Sequence, residues 1–264
     1  MIRASPVTPP DQSRGGLARI PGRLTEEYSL PLTYAPSPEG HGLEGTNVPS
    51  VSIAILAGGR SRRLGTDKAL LRLVPGGPSM IERTAWACAG LSDDLFVVAP
   101  EDRGYADLGV RAVADRFPDE GPAGGVISAL RAARHSCCLV LGCDYPFLAR
   151  PLLRWLIETA DPDRPVVPQR PSAGRQGGDS TLEVLHAIYP VSALPSLETG
   201  FGAGERQLAR LVMALEPRLV RLETLFRLDP ALRSFRSINL PEDEAWAREV
   251  LARTHERGVV RHAR

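Results

Sequence analysis

An excess of charge of one sign, paired cysteines and long apolar runs are all missing from this chain of 264 residues. A formal net charge of +1 excludes the strong basic bias of a general nucleic-acid binder. No apolar run approaches the ~18 residues of a membrane-spanning helix. The opening residues Met1 to Pro6 lack the apolar core of a secretory signal. We therefore expect a cytoplasmic protein whose partners are neither nucleic acid nor membrane.

Cysteine is scarce, and the four residues present show no Cys-x-x-Cys spacing. Cys137, Cys138 and Cys143 share one apolar segment, and the fourth residue is Cys88. Buried thiols of this kind are typical of reduced core residues in a cytosolic protein. A metal site built from them is the less favoured alternative.

Composition divides the chain into three parts. Residues 1–50 contain eight prolines and six glycines among sparse apolar residues without a period. Such a segment cannot bury enough surface to offset its ordering entropy, so residues 1–49 are predicted to be a disordered extension, or translation from too early a start. Residues 50–254 are predicted to form one domain, and residues 255–264 a basic tail.

Within the predicted domain, apolar runs typical of strands alternate with segments of helical period. The predicted strands are Val51–Leu56, Leu95–Ala99, Val110–Ala114, Cys138–Cys143, Pro165–Val167, Leu185–Tyr189, Leu219–Leu222 and Ser234–Ile238. The predicted helices are Met80–Leu91, Pro122–Arg134, Pro151–Ala160, Ala193–Glu198, Glu205–Leu215 and one from Pro241 to about Arg253. This alternation predicts an α/β, Rossmann-like three-layer fold with a mostly parallel central sheet. Ligands of such sheets bind beyond the carboxyl ends of the strands.

The segment Ala57 to Lys68, directly after the first strand, has the composition of a polyphosphate-binding loop. Three glycines allow the backbone to turn sharply and approach a ligand. Arginines and a lysine place positive charge beside that turn. The loop lacks the Gly-Lys-Ser/Thr end of a Walker loop and the Gly-x-Gly-x-x-Gly of a dinucleotide fold.

The spacing instead resembles Leu-Ala-Gly-Gly-x-Ser-x-Arg-Met-Gly-x-Asp-Lys, the signature of nucleotidyltransferases that move a nucleoside monophosphate from an NTP onto a phosphorylated acceptor. Leu56 to Lys68 matches every fixed position except Leu64. The pair Gly58-Gly59 favours the molybdenum cofactor guanylyltransferases over the related cytidylyltransferases. The resemblance extends from Val51 to about Leu251 and implies the nucleotide-diphospho-sugar transferase type of fold.

Two carboxylates follow predicted strands and match further motifs of this family. Asp144 begins Asp-Tyr-Pro-Phe after an apolar run, and the resemblance makes it a Mg²⁺ ligand, with a helix cap as the alternative. Asp115 precedes the turn at Gly121-Pro122, where the family's Asp contacts the nucleotide or its metal. An acidic turn is the alternative for Asp115. Asp119 and Glu120 are interpreted as solvated loop acids.

Other candidate residues lie later in the chain. Asn239 matches the closing motif Asn-x-Pro-Glu-Asp and is expected to cap the last helix, to border the active site, or both. The loop from Arg170 to Ser180 carries Arg170 and Arg175, and it either clamps an anionic acceptor or is simply mobile. His186, in an apolar strand, is interpreted as a core residue rather than a base.

The reaction that the resemblance implies is transfer of GMP from GTP to the terminal phosphate of molybdenum-bearing molybdopterin, with release of pyrophosphate. Mg²⁺, or Mn²⁺, is the implied cofactor, and molybdenum-insertion proteins or target molybdoenzymes are candidate partners. A CTP-dependent enzyme, another phosphorylated acceptor, and a decayed nucleotide-binding regulator are the alternatives. The implied site consists of catalytic Arg63 and Lys68, nucleotide-binding Leu56, Ala57, Gly58, Gly59, Lys68, Asp115 and Asp144, the metal ligand Asp144, and Gly65 and Asn239 at its border.

Overall fold

The computed structural model describes residues 50–58, 67–101, 105, 108–171 and 180–262, with side chains as far as residue 254. The described strands are β1 (Val51–Leu56), β2 (Leu95–Ala99), β3 (Arg111–Ala114), β4 (Cys137–Gly142), β5 (Val166–Pro171), β6 (Ser180–Leu182), β7 (His186–Pro190) and β8 (Arg218–Val220). The described α-helices are α1 (Met80–Cys88), α2 (Pro122–Ala132), α3 (Arg150–Glu158), α4 (Leu194–Gly202), α5 (Leu208–Met213), α6 (Leu222–Leu228) and α7 (Pro241–His262).

The strands form one sheet in the order β3-β2-β1-β4-β7-β5-β6, with β8 paired to β5. Strands β1 to β4 are mutually parallel, and β5 and β8 run parallel to each other. The strand β7 is antiparallel to both β4 and β5, so β5 runs in the same direction as β4. The expected three-layer, mostly parallel α/β fold is confirmed.

Both faces of the sheet are covered, which explains why every residue of β1 and β4 is buried. Alternate residues of β1 point to opposite faces: Ala54 and Leu56 pack with α2, α4 and α5, whereas Ile53 and Ile55 pack with α1, α3 and α6. The last helix, α7, packs beside this core through Ala247, in a cluster with residues of α1 and of the loop after β4.

The predicted strand at Ser234–Ile238 is wrong. Arg233–Phe235 forms a 3₁₀ turn, and the Ser234 hydroxyl accepts a hydrogen bond from Ala149 N and donates one to Phe147 O. These residues are buried because hydrogen bonds hold the loop against the core, not because they pair in a sheet. A buried loop and a buried strand give a similar apolar pattern in the sequence. The sequence also missed β6 and α6, and α7 continues beyond the predicted end at Arg253.

All four cysteines are buried free thiols, as predicted for core residues. Burial raises the pKa of Cys88 to about 12, so its thiol stays protonated at neutral pH. Within the described residues, no helix has the length and apolar character needed to cross a bilayer. The predicted N-terminal extension lies outside the described part of the chain.

Candidate active site

A cleft of about 540 Å³ opens at the carboxyl ends of β1 to β4. Backbone hydrogen bonds hold the strand ends together there: Ala57 N donates to Val98 O at 2.8 Å and Cys143 N to Leu56 O at 3.1 Å. Asp115 N donates to Ala99 O at 2.7 Å and so brings the end of β3 to the same edge. The carboxyl ends of parallel strands thus form the floor of one crevice.

Most of the described candidate residues line this cleft. They are Leu56, Ala57, Gly58, Lys68, Asp115 and Asp144. Asn239 reaches the cleft through a hydrogen bond from Lys68 Nζ to its Oδ1 at 2.9 Å. Gly59, Arg63 and Gly65 lie outside the described residues, so their roles remain predictions from the sequence.

Asp144 is a half-buried carboxylate at the end of the central strand β4. No other described residue donates a hydrogen bond to its carboxylate oxygens. Burial raises the pKa of Asp144, although a hydrogen bond from its own backbone and the positive charge of Lys68 act in the opposite direction. Among the described residues, these two contributions do not outweigh burial, and a bound cation would further favour the ionised form.

Gly142 makes room for this carboxylate, and the sequence analysis missed it. A Cβ at position 142 would lie 2.7 Å from Asp144 Oδ1 and 2.9 Å from Tyr145 Cε2. Both side chains fold back over the end of β4, so a larger residue would displace them. A glycine at the end of an apolar run was the only signal in the sequence.

Asp115 stabilises a turn and also faces the cleft. Its Oδ1 accepts hydrogen bonds from Phe117 N at 3.0 Å and from Ser128 Oγ at 2.9 Å, and these contacts hold the turn. Its Oδ2 lies 3.4 Å from the position that a Cβ on Gly58 would occupy. One oxygen therefore stabilises the turn while the other faces the cleft beside the first loop.

Lys68 is held in place from two directions. It begins a short 3₁₀ turn capped by Asp67, whose Oδ1 accepts from Ala69 N at 3.0 Å and whose Oδ2 accepts from Tyr105 Oη at 2.9 Å. At its other end, Nζ donates to Asn239, whose Nδ2 donates to Ser237 Oγ at 2.7 Å. Sequence reasoning missed Asp67 and Tyr105 as supports of the lysine.

The prediction that Asn239 caps α7 is wrong. The carboxylate of Asp243 accepts the backbone N–H groups of Asn239 and Leu240, each at 3.0 Å. Because Lys68 occupies Asn239 Oδ1, that oxygen is turned to the cleft rather than to the helix terminus. The other expectation, that Asn239 borders the active site, agrees with this contact.

Three neighbouring residues agree with their interpretation from the sequence. Asp119 and Glu120 are exposed loop acids, although Asp119 also lines the cleft and Glu120 forms an ion pair with Arg206 at 2.8 Å. His186 is a buried core residue, and neither of its ring nitrogens has a hydrogen-bond partner among the described residues. Burial lowers the pKa of His186 to about 3, so the ring is neutral, and it packs edge-on against Tyr145 with centroids 4.4 Å apart.

Comparisons with known proteins agree with this geometry. Residues 53–219 match the family described as "MobA-like NTP transferase domain". A "Probable molybdenum cofactor guanylyltransferase" of Chloroflexus aggregans is 38% identical over 191 residues, which cover 72% of this chain and 89% of the relative.

Two solved structures share the fold. The molybdopterin-guanine dinucleotide biosynthesis protein A of Archaeoglobus fulgidus aligns with a TM-score of 0.63 and 26% identity, over 77% of this chain and all (100%) of that one. The 2-C-methyl-D-erythritol 4-phosphate cytidylyltransferase of Thermus thermophilus aligns at 0.58 and 21% identity, over 77% of this chain and 99% of that one. The central sheet, the cleft at its carboxyl edge and these matches lead to one assignment: the chain belongs to the MobA-like NTP transferase family and is a nucleotidyltransferase.

Proposed function

We propose that this enzyme transfers GMP from GTP to the terminal phosphate of molybdenum-bearing molybdopterin, with the cytoplasm as its expected compartment. One observation carries the proposal: the cleft at the carboxyl ends of the strands is lined by Gly58, by Lys68 and by the carboxylates of Asp115 and Asp144. The names of the relatives support guanine as the base and molybdopterin as the acceptor.

The reaction needs no nucleophile from the protein, since the acceptor phosphate is already an anion. An oxygen of that phosphate forms a bond to the α-phosphorus of GTP while the bond from the α-phosphorus to the bridging oxygen breaks, and pyrophosphate leaves. Lys68 supplies positive charge beside the phosphates, and Asn239 holds its ammonium group in position. Catalysis then consists of orientation and stabilisation of developing negative charge.

The residues present fit a divalent cation shared with the nucleotide. Asp144 provides carboxylate oxygens that accept no hydrogen bond from another described residue, and burial already disfavours its ionised form without a cation. Among the described residues there is no cluster of three His, Cys, Asp or Glu side chains able to hold a metal alone. Mg²⁺ commonly binds one or two carboxylates together with substrate phosphates, so Asp144 and the triphosphate would be enough to hold it. When bound, the ion would neutralise phosphate charge and polarise the α-phosphorus.

The base is proposed to lie against the backbone of Leu56, Ala57 and Gly58. Apolar side chains of Val98, Pro122 and Leu185 also line the cleft and provide surfaces for a planar ring. Gly125 allows α2 to approach closely, because a Cβ there would lie 3.1 Å from Leu56 Cδ1.

The decisive experiment offers purified protein each of the four NTPs with molybdenum-bearing molybdopterin and Mg²⁺, and measures pyrophosphate. We expect release with GTP and none with the other three. Release with CTP would assign the cytidylyltransferase alternative. No release with any NTP, together with tight GTP binding, would assign a nucleotide-binding regulator instead.

A further inference from the structure

A buried ion pair between Arg170 and Glu183 lies outside the part of the cleft that is proposed to bind the nucleotide. Glu183 is 5% exposed, and its carboxylate accepts a hydrogen bond from Arg170 Nε. Arg170 is near the carboxyl end of β5, which runs in the same direction as β4 and ends at the same edge of the sheet. Two residues after Glu183, Leu185 lines the cleft, and its carbonyl accepts from Gly142 N at 3.2 Å.

Among the described residues, the ion pair engages only one end of Arg170. Its terminal nitrogens make no hydrogen bond to a described residue, and neither of them is a fully buried atom without a partner. Burying an ion pair is unfavourable, so a carboxylate that is 5% exposed is an unusual partner for an arginine whose side chain is 27% exposed. A guanidinium anchored through Nε presents its two terminal N–H groups as a fork suited to phosphate oxygens.

Tyr145 connects this pair to Asp144. Its ring packs on His186, and His186 N donates to the carbonyl of Glu183 at 3.0 Å. The Tyr145 hydroxyl makes no hydrogen bond to a described residue.

Strand order places Lys68 and Arg170, the two candidate phosphate-binding residues, on opposite sides of Asp144. Lys68, Gly58 and Asp115 belong to the β1-β2-β3 side of β4, whereas Arg170 and Glu183 belong to the β7-β5 side. In a displacement at the α-phosphorus, the attacking and leaving oxygens lie roughly in line on opposite sides of that atom. The acceptor should therefore approach from the side opposite Lys68.

We propose that Arg170 binds the phosphate monoester of the acceptor, with Glu183 as its positioning residue and the Tyr145 hydroxyl as a second donor. The inference rests on the proposed function for the identity of the acceptor. These three residues would form the acceptor-binding part of the site.

The test measures the acceptor KM and the Kd of a non-hydrolysable GTP analogue with Mg²⁺. Losing a hydrogen-bonded charge of this kind typically weakens binding by about 10- to 100-fold, and we expect that rise in acceptor KM for R170A. E183Q should raise the acceptor KM by about 10-fold, and Y145F by a smaller factor. The Kd of the GTP analogue should change by less than about two-fold in all three. Arg164→Ala, an exposed arginine that pairs with Asp161 outside the cleft, is the matched control.

R170A leaves Glu183 buried without its partner and can cost stability. The double variant R170M/E183L removes both charges while keeping the volume, so it should fold and still show the raised acceptor KM. An unchanged acceptor KM in this folded double variant would overturn the proposal. An equal weakening of the GTP analogue would also overturn it, because Arg170 would then bind the triphosphate.

A second readout separates this inference from the proposed function. Phenyl phosphate, a simple phosphate monoester, is titrated by calorimetry into protein saturated with the GTP analogue and Mg²⁺, and into the same complex of R170M/E183L. Binding to the parent and weaker binding to the double variant support the anion subsite whichever natural acceptor is used. Equal heats for both proteins, together with pyrophosphate release from GTP, would refute the subsite and leave the proposed function intact.

Discussion

Among single residues, two aspartates of this domain have pKa values that are shifted in opposite directions. Asp94, beside the amino end of β1, accepts hydrogen bonds from Ser52 Oγ at 2.7 Å and Arg111 Nη2 at 2.8 Å. Burial raises the pKa of Asp94, but these bonds outweigh it and hold the pKa below its usual range. Asp144 lies at the other end of the sheet with a raised pKa, and no described side chain donates a hydrogen bond to its carboxylate. The described residues therefore stabilise the charge of Asp94, whereas a bound cation would stabilise that of Asp144.

Asp144→Asn is predicted to raise the melting temperature of the metal-free protein. A carboxyl group whose folded pKa is raised stabilises the fold below its unfolded pKa, about 4, and loses that stabilisation as pH rises through the folded pKa. The advantage of the variant should therefore be absent near pH 4 and present at neutral pH. Thermal unfolding across this range measures it.

The same variant should lose the stabilisation that Mg²⁺ and GTP give the parent, and its turnover should fall by about 10²-fold. Asp94→Asn is the matched control with the opposite sign, because a lowered pKa stabilises the fold above the unfolded value. It should melt lower than the parent at neutral pH. Full activity of Asp144→Asn across a Mg²⁺ titration would show that Asp144 is not the metal ligand.

Lys68→Ala is predicted to reduce turnover by about 10²-fold, the usual effect of removing one preorganised charge at a reacting phosphate. The melting temperature should hardly change, because Lys68 is half-exposed on a short turn. Steady-state kinetics with GTP and thermal unfolding measure the two effects, and Arg164→Ala again serves as the control. Normal turnover, or an unfolded variant, would contradict the role. The same reduction is predicted from the sequence for Arg63→Ala.

Among the secondary-structure elements, the end of β4 carries the most chemistry. Its last residue, Gly142, precedes the loop that carries Asp144 and Tyr145, and the segment after that loop leads into α3. Ile238 N donates to Asp144 O at 2.9 Å, so the approach to α7 is tied to the same loop. One strand end therefore connects Asp144, the proposed metal ligand, with the segment that carries Asn239.

Gly142→Ala is predicted to damage the site more than the fold. The added Cβ would push Asp144 Oδ1 and the Tyr145 ring from their positions, so the Mg²⁺ needed for half-maximal activity should rise by about 10-fold or more. The cost in folding free energy should be about 1–3 kcal/mol, as for other overpacked sites. Gly202→Ala, where a Cβ meets nothing within 4 Å, is the control and should keep parental activity. Equal metal dependence in both variants would contradict the packing argument.

For the whole molecule, the two ends of the strands differ: hydrogen bonds join polar groups at the amino ends, whereas the carboxyl ends open into the cleft. Polar groups at the amino ends of β1 and β2 pair with one another around Asp94, while the carboxyl ends meet around the cleft. The domain described here begins with β1, which pairs with both β2 and β4 at the centre of the sheet.

A variant lacking residues 1–48 is predicted to keep full activity and an unchanged melting temperature. The removed residues have the composition of a segment that cannot form its own core, and β1 starts at Val51. Kinetics and thermal unfolding of the shortened protein test this. A variant lacking residues 1–56 also loses β1 and should show no cooperative unfolding transition. Loss of activity on the shorter truncation would mean that the N-terminal segment contributes to the domain.

Sequence by itself predicted most of the strands and helices and the two carboxylates that line the cleft. Continuous apolar runs specified β1 and β4, because a strand covered on both faces has no polar positions. Asp115 and Asp144 could be placed at one edge because parallel strands end together. Ser234–Ile238 was misassigned because a buried loop and a strand share the same apolar pattern.

Only the tertiary structure decided which residues meet across the sheet. Lys68 and Asn239 are 171 positions apart, and their contact depends on where α7 begins relative to the end of β4. The insertion of antiparallel β7 between β4 and β5 put Arg170 and Glu183 on the far side of Asp144. The pKa values of Asp94 and Asp144 are also shifted in opposite directions, because different groups surround the two carboxylates in the folded chain. Local sequence patterns indicate which residues are buried and where the chain turns. Strand order and charge pairing depend on contacts between residues far apart in the sequence, which a local pattern does not report.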